Sequence, residues 1–183
     1  MYNFFKWFYN RIKAYKRDKF LEKLVNRGLI LGKNVHIVDS FFFDPSHCFL
    51  ISISDNCTIC PNVRLIAHDA STKYFLGYTK IGRITIHENC FIGDSVIVLP
   101  NVSIGPNAVV GAGSVVTRDV SPGMVVAGNP AVPRGTLPDY LEKIKTKSKG
   151  KRVFDEAYYI DVMTEEKKKE MLDSCNDSIG FIV

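Results

Sequence analysis

The sequence predicts a mainly β protein: a triangular coil of short strands, preceded by a helix and followed by a partly helical tail. The main observation is that aliphatic residues recur every six positions along the middle of the chain. A small or medium-sized residue stands four positions after most of them, and a turn-forming Asn, Ser or Gly stands three positions after them. The repeat occupies Leu31, Ile37, Ile53, Ile59, Leu65, Ile86, Ile92, Val98, Ile104, Val110 and Val116.

The period of six explains how strands and corners alternate. Because six is a multiple of two, short strands can point alternate residues inward, while Asn and Gly tolerate the left-handed backbone angles of tight corners. Three sides of six residues then complete one triangular turn of the coil. Successive turns stack Ile86 on Ile104, Ile92 on Val110 and Val98 on Val116. Each turn buries its aliphatic residues against the next, so no turn is stable alone.

Length and composition indicate a soluble globular protein. The chain has 183 residues, enough for one domain with a core, and is 46% hydrophobic and 23% charged. No apolar run is long enough to predict a membrane-spanning helix, and the start of the chain lacks the apolar core of a signal peptide. The five cysteines show no zinc-ribbon spacing. We therefore expect a cytoplasmic protein.

Residues 1–28 are predicted to form a helix that ends at Gly28. They carry eight basic and two acidic residues, so the net charge of +5 is concentrated here. Aromatic residues are interleaved with the basic ones: Phe4, Phe5, Trp7, Phe8, Tyr15 and Phe20. Two interpretations stay open, packing against the coil or a neighbouring subunit, and contact with anionic lipid at a membrane surface. Packing is favoured for the end that contains Leu21, Leu24 and Val25.

Residues 29–135 are predicted to form the coil, and their cysteines fit it. Cys57 and Cys90 occupy the small inward position that holds Val or Ala in other repeats. A role as a small buried hydrophobic residue is therefore favoured over metal binding or catalysis. Cys60 directly follows a repeat position and should face outward, away from Cys57.

The segment IHENCFIGDSVIVLPNVSIGPNAVVGAGSVVTRDVSPGMVVAGNPA resembles the hexapeptide-repeat acyltransferases. It is most similar to the galactoside, maltose and polysaccharide O-acetyltransferases, and GAGSVVTRDV followed by AGNPA is the specific part. The similarity covers residues 31–135. It implies a left-handed parallel β-helix that assembles as a homotrimer, with each active site in the cleft between two subunits.

The repeat is interrupted after Leu65. His68 falls on the third position after Leu65, a corner, and the next repeat position in register is Ile86. Residues 69–80, DASTKYFLGYTK, are therefore predicted to form a loop, and long loops on a rigid scaffold often carry function. Acyl transfer to a hydroxyl group needs a base, which a neutral imidazole supplies. The resemblance assigns the catalytic histidine of the family to His68.

Four residues are candidates for binding the acceptor: Asp44, Asp69, Tyr74 and Phe91. Asp69 would orient the imidazole of His68, bind the acceptor or be solvated. Asp44 lies in the irregular stretch SFFFDPSHCFL, roughly where galactoside-type relatives have an acceptor-binding Asn. Tyr74 belongs to the polar and aromatic loop. Phe91 falls where some relatives place an aromatic residue near the site, with ordinary packing as the alternative.

The resemblance also implies acetyl-CoA as the donor, bound in the groove between subunits beside the last turns. Small residues there let the pantetheine arm lie close to the backbone. The matching residues are Gly111, Ala112, Gly113, Ser114, Thr117, Arg118, Ala127, Gly128 and Arg134. Arg118 would hold a phosphate or be solvated. Arg134 is displaced by about one position from the basic residues that the family often has after NPA.

The remaining histidines, His36, His47 and His87, are predicted to be structural. His87 follows a repeat position and should face outward, whereas His36 lies on an early turn and His47 in the irregular stretch. Gamma-type carbonic anhydrases share the repeat but need three metal-binding histidines, two of them close in sequence, and no such pair occurs here. We therefore expect no metal.

The sequence thus predicts an O-acetyltransferase that moves acetyl from acetyl-CoA to a hydroxyl group of a sugar or polysaccharide precursor, with His68 as general base. An acyltransferase of the same fold with an amine or non-sugar acceptor, and a non-catalytic repeat scaffold, are the alternatives. No nucleic acid is expected as a partner, whereas residues 1–28 offer contact with the inner membrane face. Residues 136–183 are predicted to be a charged, partly helical and mostly solvated extension.

Overall fold

Three sheets wind around one hydrophobic core in the computed structural model of this chain. It describes the backbone of residues 2–183 and the side chains of residues 14–183. The chain divides into two compact units, Met1–Leu137 and Pro138–Val183.

The first unit consists of one long helix followed by short strands, most of them two or three residues long. Its elements are, in chain order, α1 (Tyr2–Asn26), β1 (Ile30–Leu31), β2 (His36–Ile37), β3 (Phe41–Phe43), β4 (Ile51–Ile53), β5 (Thr58–Ile59), β6 (Val63–Leu65), β7 (His68–Asp69), α2 (Lys73–Leu76), β8 (Lys80–Ile81), β9 (Ile84–Ile86), β10 (Phe91–Ile92), β11 (Ile97–Val98), β12 (Val102–Ile104), β13 (Val109–Val110), β14 (Val115–Val116), β15 (Met124–Ala127) and β16 (Val132–Thr136). Short 3₁₀ turns precede β4 and α2, at Cys48–Leu50 and Ala70–Thr72.

Consecutive strands of the coil lie on different sheets. The strand orders are β1-β4-β9-β12, β16-β15-β13-β10-β5-β2 and β14-β11-β6-β3. Among the described strands of these sheets the pairing is parallel, except between β15 and β16, where the chain turns back. Three strands therefore complete one turn, and the predicted coil of stacked turns is confirmed as a β-helix.

The strand register is the one that the six-residue repeat predicts. Ile86 pairs with Ile104, Ile92 with Val110, and Val98 with Val116. All of these side chains are buried, with at most 1% of their surface exposed. Because equivalent residues stack on one another, each turn removes apolar surface of its neighbour from water.

The corners adopt the left-handed backbone angles that their residue types predict. Their φ angles lie between 53° and 61° at Asn34, Asn56, Asn62, Asn89, Ser95, Asn101 and Asn107. Hydrogen bonds connect equivalent corners of neighbouring turns, as between the Asn89 Nδ2 and the Asn107 Oδ1 at 3.2 Å. Corner side chains therefore add polar contacts at the surface to the apolar stacking inside.

The core also contains the two cysteines that were predicted to face inward. Cys57 is fully buried and Cys90 is 2% exposed. Their thiols donate to the carbonyl oxygens of His87 and Gly105, each at 3.0 Å. Both sulfur atoms are therefore satisfied inside the coil, as expected of small buried residues.

The first helix ends close to the predicted residue and packs through its last turn. α1 stops at Asn26, and Gly28 follows with a φ of 103°. Leu24 is fully buried in the coil's core and Leu21 packs against that core, which confirms packing for this end. Val25 is 41% exposed, because adjacent helix positions face different directions.

The prediction of membrane contact rests on residues whose side chains lie outside the described ones: Phe4, Phe5, Trp7 and Phe8. It stays a prediction. The described helices include no candidate for a bilayer-spanning segment.

The second unit is built from two helices and a small strand pair. Its elements are α3 (Leu137–Ser148), β17 (Val153–Phe154), α4 (Glu165–Ser174) and β18 (Phe181–Ile182), with a 3₁₀ turn at Glu156–Tyr158. Phe154 and Tyr158 are buried, and the guanidinium of Arg152 lies over both rings, 5.1 and 5.0 Å from their centroids. Arg152 also pairs with Glu170. The extension is helical in parts, as predicted, but it also has a packed centre that its sequence did not indicate.

Replacing Ile92 by Ala is expected to lower the free energy of unfolding by about 2–5 kcal/mol. Ile92 is fully buried and pairs with Ile59 on one side and Val110 on the other, so the cavity opens within the stack. Urea unfolding followed by circular dichroism measures the loss. Ile92→Val is the matched control, with an expected loss of about 0.5–1.5 kcal/mol. Equal losses in both variants would contradict the role of stacking at this position.

Candidate active site

The break in the repeat brings a histidine to the surface. Leu65 and Ala67 are fully buried, whereas the His68 side chain is 34% exposed. His68 lies at an edge, as predicted, but it does not take the left-handed angles of the other corners. The chain instead continues as β7, which pairs antiparallel with β8. It rejoins the coil where the N–H of Gly82 donates to the carbonyl of Ala67 at 3.0 Å.

The loop that follows is tied down at its base. Asp69 accepts a hydrogen bond from the N–H of Ser71 at 2.9 Å and lies 2.6 Å from the ammonium of Lys80. The hydroxyl of Thr72 donates to the carbonyl of Tyr78 at 2.8 Å. Both carboxylate oxygens of Asp69 therefore bind residues of the loop, and Asp69 does not orient the imidazole of His68.

Asp69 is expected to titrate with a pKa of about 2, because the bond from Lys80, and then those from Ser71, stabilise its charged form. Since this pKa lies below the ordinary value of 3.8, the carboxylate stabilises the loop fully above about pH 4 and loses this effect as the pH falls towards 2. Carbon-detected NMR of the carboxyl group measures the midpoint. In Lys80→Gln the midpoint should move up towards 3.8. An unchanged midpoint would show that Lys80 is not the cause.

A buried carboxylate lies under His68. The Oδ2 of Asp44 accepts hydrogen bonds from the Nδ1 of His68 at 2.6 Å and the N–H of Ala67 at 2.9 Å, and its Oδ1 accepts from the hydroxyl of Ser46 at 2.8 Å. Asp44 directly follows β3, and His68 lies three residues beyond β6, which pairs with β3. The two neighbouring strands of one sheet thus bring the carboxylate and the imidazole together.

These contacts keep Asp44 ionised. Burial is the largest single influence and raises the pKa of Asp44, but the hydrogen bonds from His68, Ser46 and Ala67 together outweigh it and hold that pKa below its ordinary value. An ionised carboxylate only accepts hydrogen bonds, so the Nδ1 of His68 carries the proton. The Nε2 of the neutral ring is then a free lone-pair acceptor on a partly exposed side chain. This is the arrangement of a general base.

A second histidine belongs to the same cluster. The ring centroid of His47 is 4.9 Å from that of His68, and its Nδ1 lies 3.1 Å from the hydroxyl oxygen of Ser46. The ring of Phe49, whose surface is 56% exposed, lies 6.0 Å from the His47 ring. The structural role predicted for His47 stays a prediction, but its ring stands beside the candidate base, a position that the sequence did not indicate.

The sequence contained a signal for this cluster. The irregular stretch around Asp44 and the loop after His68 both interrupt the repeat, and both follow strands of the same sheet, β3 and β6. Two interruptions on neighbouring turns of one sheet lie side by side. The stretch from Asp44 to Phe49 could therefore have been predicted to border the site.

The distance between Asp44 and His68 is that of a hydrogen bond rather than that of two ligands of one metal ion. Asp44, His47 and His68 offer ligand atoms that all lie within 4.8 Å of one another. However, the Asp44 Oδ2 and the His68 Nδ1 are only 2.6 Å apart. Two ligands of one tetrahedral zinc at about 2.0–2.1 Å from the ion lie about 3.3 Å apart. The observed distance is that of a strong charged hydrogen bond.

The other candidates for acceptor binding lie outside this cluster. Tyr74 is 92% exposed and packs edge-on against Phe75, with ring centroids 5.3 Å apart. Phe91 is 44% exposed and pairs with Thr58 and Val109 on the sheet of β10. Among the described residues, no hydrogen bond or ring contact joins Tyr74 or Phe91 to His68. Their roles, like that of Asp69 in acceptor binding, stay predictions.

The position of Asp44 differs from the one expected of an acceptor-binding residue. Its side chain is fully buried, and the imidazole of His68 covers its Oδ2. Contact with an acceptor would require the imidazole to move away. Asp44 is the group that orients His68, which the sequence did not identify.

The predicted donor residues gather at the last turns of the coil. Ser114 is buried, and its hydroxyl donates to the carbonyl of Gly111 at 2.5 Å and accepts from the N–H of Gly128 at 3.1 Å. A Cβ added to Gly111 would lie 3.0 Å from the Cβ of Ala127, so the two segments are in close contact. Gly113, at a φ of 69°, forms the corner beside Ala112.

The cationic and hydroxyl candidates lie at the surface of the same turns. Thr117, Arg118 and Arg134 are exposed, and the guanidinium of Arg134 lies beside Gly128. Among the described residues, no hydrogen bond, ion pair or ring contact joins this donor group to the cluster around His68. Their roles in donor binding stay predictions.

Comparison with known proteins adds a family and relatives. Residues 83–118 match the family model "Bacterial transferase hexapeptide (six repeats)". The chain is 38% identical over 106 residues to the galactoside O-acetyltransferase of Escherichia coli, covering 54% of this chain and 52% of that protein. It is 33% identical over 131 residues to the galactoside O-acetyltransferase of Lactococcus lactis, covering 67% and 61%. The chain thus spans about half the length of the curated relatives it matches.

A solved structure shows the same fold. The maltose O-acetyltransferase from Clostridium difficile 630 is similar over 67% of this chain and 75% of that chain, with 27% sequence identity and a TM-score of 0.52.

Proposed function

Because the chain belongs to the hexapeptide-repeat acetyltransferase family, we propose that it transfers an acetyl group from acetyl-CoA to a hydroxyl group of a sugar or polysaccharide precursor. The observation that carries this proposal is the hydrogen bond between His68 and the buried, ionised Asp44. It leaves the Nε2 of His68 free as a base on a partly exposed ring. The acetyl group and the sugar acceptor are those of the galactoside and maltose O-acetyltransferases that the chain resembles.

The reaction proceeds by direct transfer. The Nε2 of His68 takes the proton of the acceptor hydroxyl while the hydroxyl oxygen attacks the acetyl carbonyl carbon. The resulting imidazolium is stabilised by the Asp44 carboxylate, 2.6 Å from its Nδ1. The tetrahedral intermediate then collapses, the C–S bond breaks, and the proton passes from His68 to the departing thiolate. The products are an acetyl ester and CoA.

The donor is proposed to lie along the last turns of the coil. Gly111 lies against Ala127, and the neighbouring Ala112 and Gly113 are exposed, so that a pantetheine arm could lie close to their backbone. The exposed Arg118 and Arg134 would pair with phosphate groups, and Ser114 and Thr117 complete the group.

The active enzyme is proposed to be a homotrimer of left-handed coils. The outward positions of two sheets carry apolar side chains aligned by the strand register, Phe91 beside Val109 and Ile97 beside Val115. The third sheet presents aligned polar residues, Ser52 beside Thr85 and Ser103. Two apolar faces suit contact with two neighbours. Such contact would place the donor group of one subunit against the His68 cluster of the next, two groups that a single chain keeps apart.

Residues 29–135 are proposed as the catalytic part of the chain, acting in the cytoplasm. Residues 1–28 are proposed to contact the inner membrane face through their basic and aromatic residues. An acceptor linked to a lipid would then be within reach of the site.

Acceptor-dependent CoA formation tests the proposed function. We would incubate the full chain with acetyl-CoA and a panel of galactosides, maltose, nucleotide sugars, amino sugars and glycan fragments. CoA is quantified by chromatography, because the exposed Cys175 would react with a thiol reagent. An acetyl product cleaved by hydroxylamine is an ester and supports the proposal, whereas a resistant amide supports the amine alternative. Absence of both turnover and CoA binding would support the scaffold alternative.

A further inference from the structure

Two imidazole rings stand side by side over one buried carboxylate. The rings of His47 and His68 are tilted by 36°, with centroids 4.9 Å apart. His68 binds Asp44 directly, whereas His47 reaches the same carboxylate through the hydroxyl of Ser46, which lies 3.1 Å from the His47 Nδ1 and 2.8 Å from the Asp44 Oδ1. One acid therefore orients both rings.

Asp44 also fixes the direction of each hydrogen bond in this network. Because the carboxylate only accepts, Ser46 donates its single O–H to Asp44, and its oxygen accepts from the Nδ1–H of His47. Both neutral rings then carry their proton on Nδ1, and both leave the Nε2 lone pair available. Among the described residues, no hydrogen bond to the Nε2 of His47 or His68 is present. The cluster thus contains two acceptors, although the proposed reaction uses only one base.

Both rings are partly exposed, and their Nε2 atoms take no part in the bonds to Asp44 and Ser46. In an imidazole ring the Nε2 lies on the edge opposite the bonds that Nδ1 makes here, and the two side chains keep 29% and 34% of their surface exposed. Because the ring centroids are 4.9 Å apart, two hydroxyl groups on neighbouring carbons have a spacing that the two rings can share, each hydroxyl with a hydrogen bond of about 2.8 Å to one ring. A single hydroxyl group would leave the second nitrogen without a partner.

We propose that the Nε2 of His47 accepts a hydrogen bond from a second hydroxyl group of the acceptor, adjacent to the hydroxyl that His68 deprotonates. This inference rests on the proposed function and narrows its substrate class. The acceptor is a vicinal diol, such as two neighbouring hydroxyl groups of a sugar ring, and His47 selects which hydroxyl of the pair reaches His68.

Charge favours a neutral diol over an acidic group at this position. The cluster is built on the ionised carboxylate of Asp44, and the nearby Lys80 is already paired with Asp69. A carboxylate or phosphate beside His47 would therefore be repelled. The half-exposed ring of Phe49 next to His47 adds an apolar surface for the C–H face of a sugar.

The test combines an enzyme variant with an acceptor variant. Methyl glycosides of galactose, glucose and mannose, and their monodeoxy derivatives, are assayed for acceptor-dependent CoA formation, together with the panel of the functional assay. For the glycoside with the highest kcat/KM, removal of the adjacent hydroxyl is expected to lower kcat/KM by about 10- to 100-fold in the wild type. His47→Phe, which keeps an aromatic ring, should lower kcat/KM for the intact diol by a similar factor.

The result that decides is whether the loss of kcat/KM caused by His47→Phe adds to the loss caused by removing the acceptor hydroxyl. If His47 binds the removed hydroxyl, His47→Phe causes no further loss with the deoxy acceptor, and His47→Gln, which retains an accepting oxygen, recovers part of the activity towards the diol. If His47 is only structural, His47→Phe lowers kcat/KM equally for both acceptors, which overturns the inference. His87→Phe, at a half-buried histidine whose Nε2 lies 3.2 Å from the hydroxyl of Ser103 on the polar sheet, is the matched control and should change neither value.

Failure of the inference is distinguishable from failure of the proposed function. Acceptor-dependent CoA formation with additive losses overturns only the role of His47. Absence of acceptor-dependent CoA formation with every glycoside and every panel member overturns the proposed function and this inference with it. Thermal unfolding of His47→Phe at the wild-type temperature shows that a loss of activity is not a loss of fold.

Discussion

Replacing His68 by Ala is expected to lower kcat for acetyl transfer by about 10²–10⁴-fold, the usual contribution of a positioned general base. The substitution removes the imidazole whose Nδ1 Asp44 holds directly by a charged hydrogen bond, and with it the free Nε2 that acts as the base. The KM for acetyl-CoA should change little, because the proposed donor residues belong to other turns of the coil. CoA formation at saturating donor and acceptor gives kcat, and varying acetyl-CoA gives KM.

A matched histidine controls for loss of fold. His87 is also half-buried on the coil surface, but its Nε2 lies 3.2 Å from the hydroxyl of Ser103, away from the cluster. His87→Ala should retain the wild-type kcat. A wild-type rate in His68→Ala would refute the proposed mechanism, whereas equal losses in both variants would point to a general effect on the structure.

The fold could be predicted from the sequence because each turn repeats the same local information. The spacing of residues such as Ile86 and Ile104 fixes which strands pair and in which register. The residue types at the corners predict their left-handed backbone angles, as at Asn107 with a φ of 58°. The packed centre around Tyr158 lacks any such repetition. It depends on Arg152 and Glu170, which are far apart in sequence, and no periodic pattern marks their contact.

The site was predictable only in part, for a related reason. His68 was found because it begins a break in the repeat and because the resemblance supplied its role. The partner that orients it lies 24 positions earlier in the chain. Asp69 was the nearer candidate, but its carboxylate is held by Lys80 instead. Side chains of sequence neighbours point apart on an extended strand, whereas neighbours across a sheet meet. The six-residue repeat is lost in the irregular stretch around β3, so the register of β3 against β6 could not be predicted from it.

A buried charge is costly unless hydrogen bonds replace its water, and Asp44 has three such donors. One of them, the N–H of Ala67, belongs to the backbone of the break itself. The same carboxylate therefore holds the edge of the coil together and orients His68. Truncation of Asp44 should consequently lower both the stability of the fold and kcat. Removal of its charge alone should lower kcat and leave the stability nearly unchanged.

Replacing Asp44 by Ala is expected to lower kcat by about 10²–10⁴-fold, as when the acid that orients a catalytic histidine is lost. It should also lower the free energy of unfolding by about 1–3 kcal/mol, because the buried N–H of Ala67 loses its acceptor. Asp44→Asn keeps an oxygen that can accept from both Ala67 and His68, so it should remain close to wild-type stability near neutral pH. Its kcat should fall by only about 10- to 100-fold, the effect of removing the charge beside the imidazolium.

Unfolding free energies measured below pH 4 distinguish the contribution of the Asp44 charge from that of its hydrogen-bonding oxygen atoms. The pKa of Asp44 in the fold lies below its ordinary value of 3.8, so the carboxylate stabilises the protein above that value and loses this effect as the pH falls through the folded pKa. Asn does not titrate, so the wild type, which matches Asp44→Asn in stability near neutral pH, should become the less stable of the two below about pH 4. Asp94→Asn, at an exposed carboxylate bonded to Ser95, is the control for ordinary acid effects. A difference that stayed constant down to pH 2 would mean that Asp44 is not held as a carboxylate, and the orientation of His68 would then need another cause.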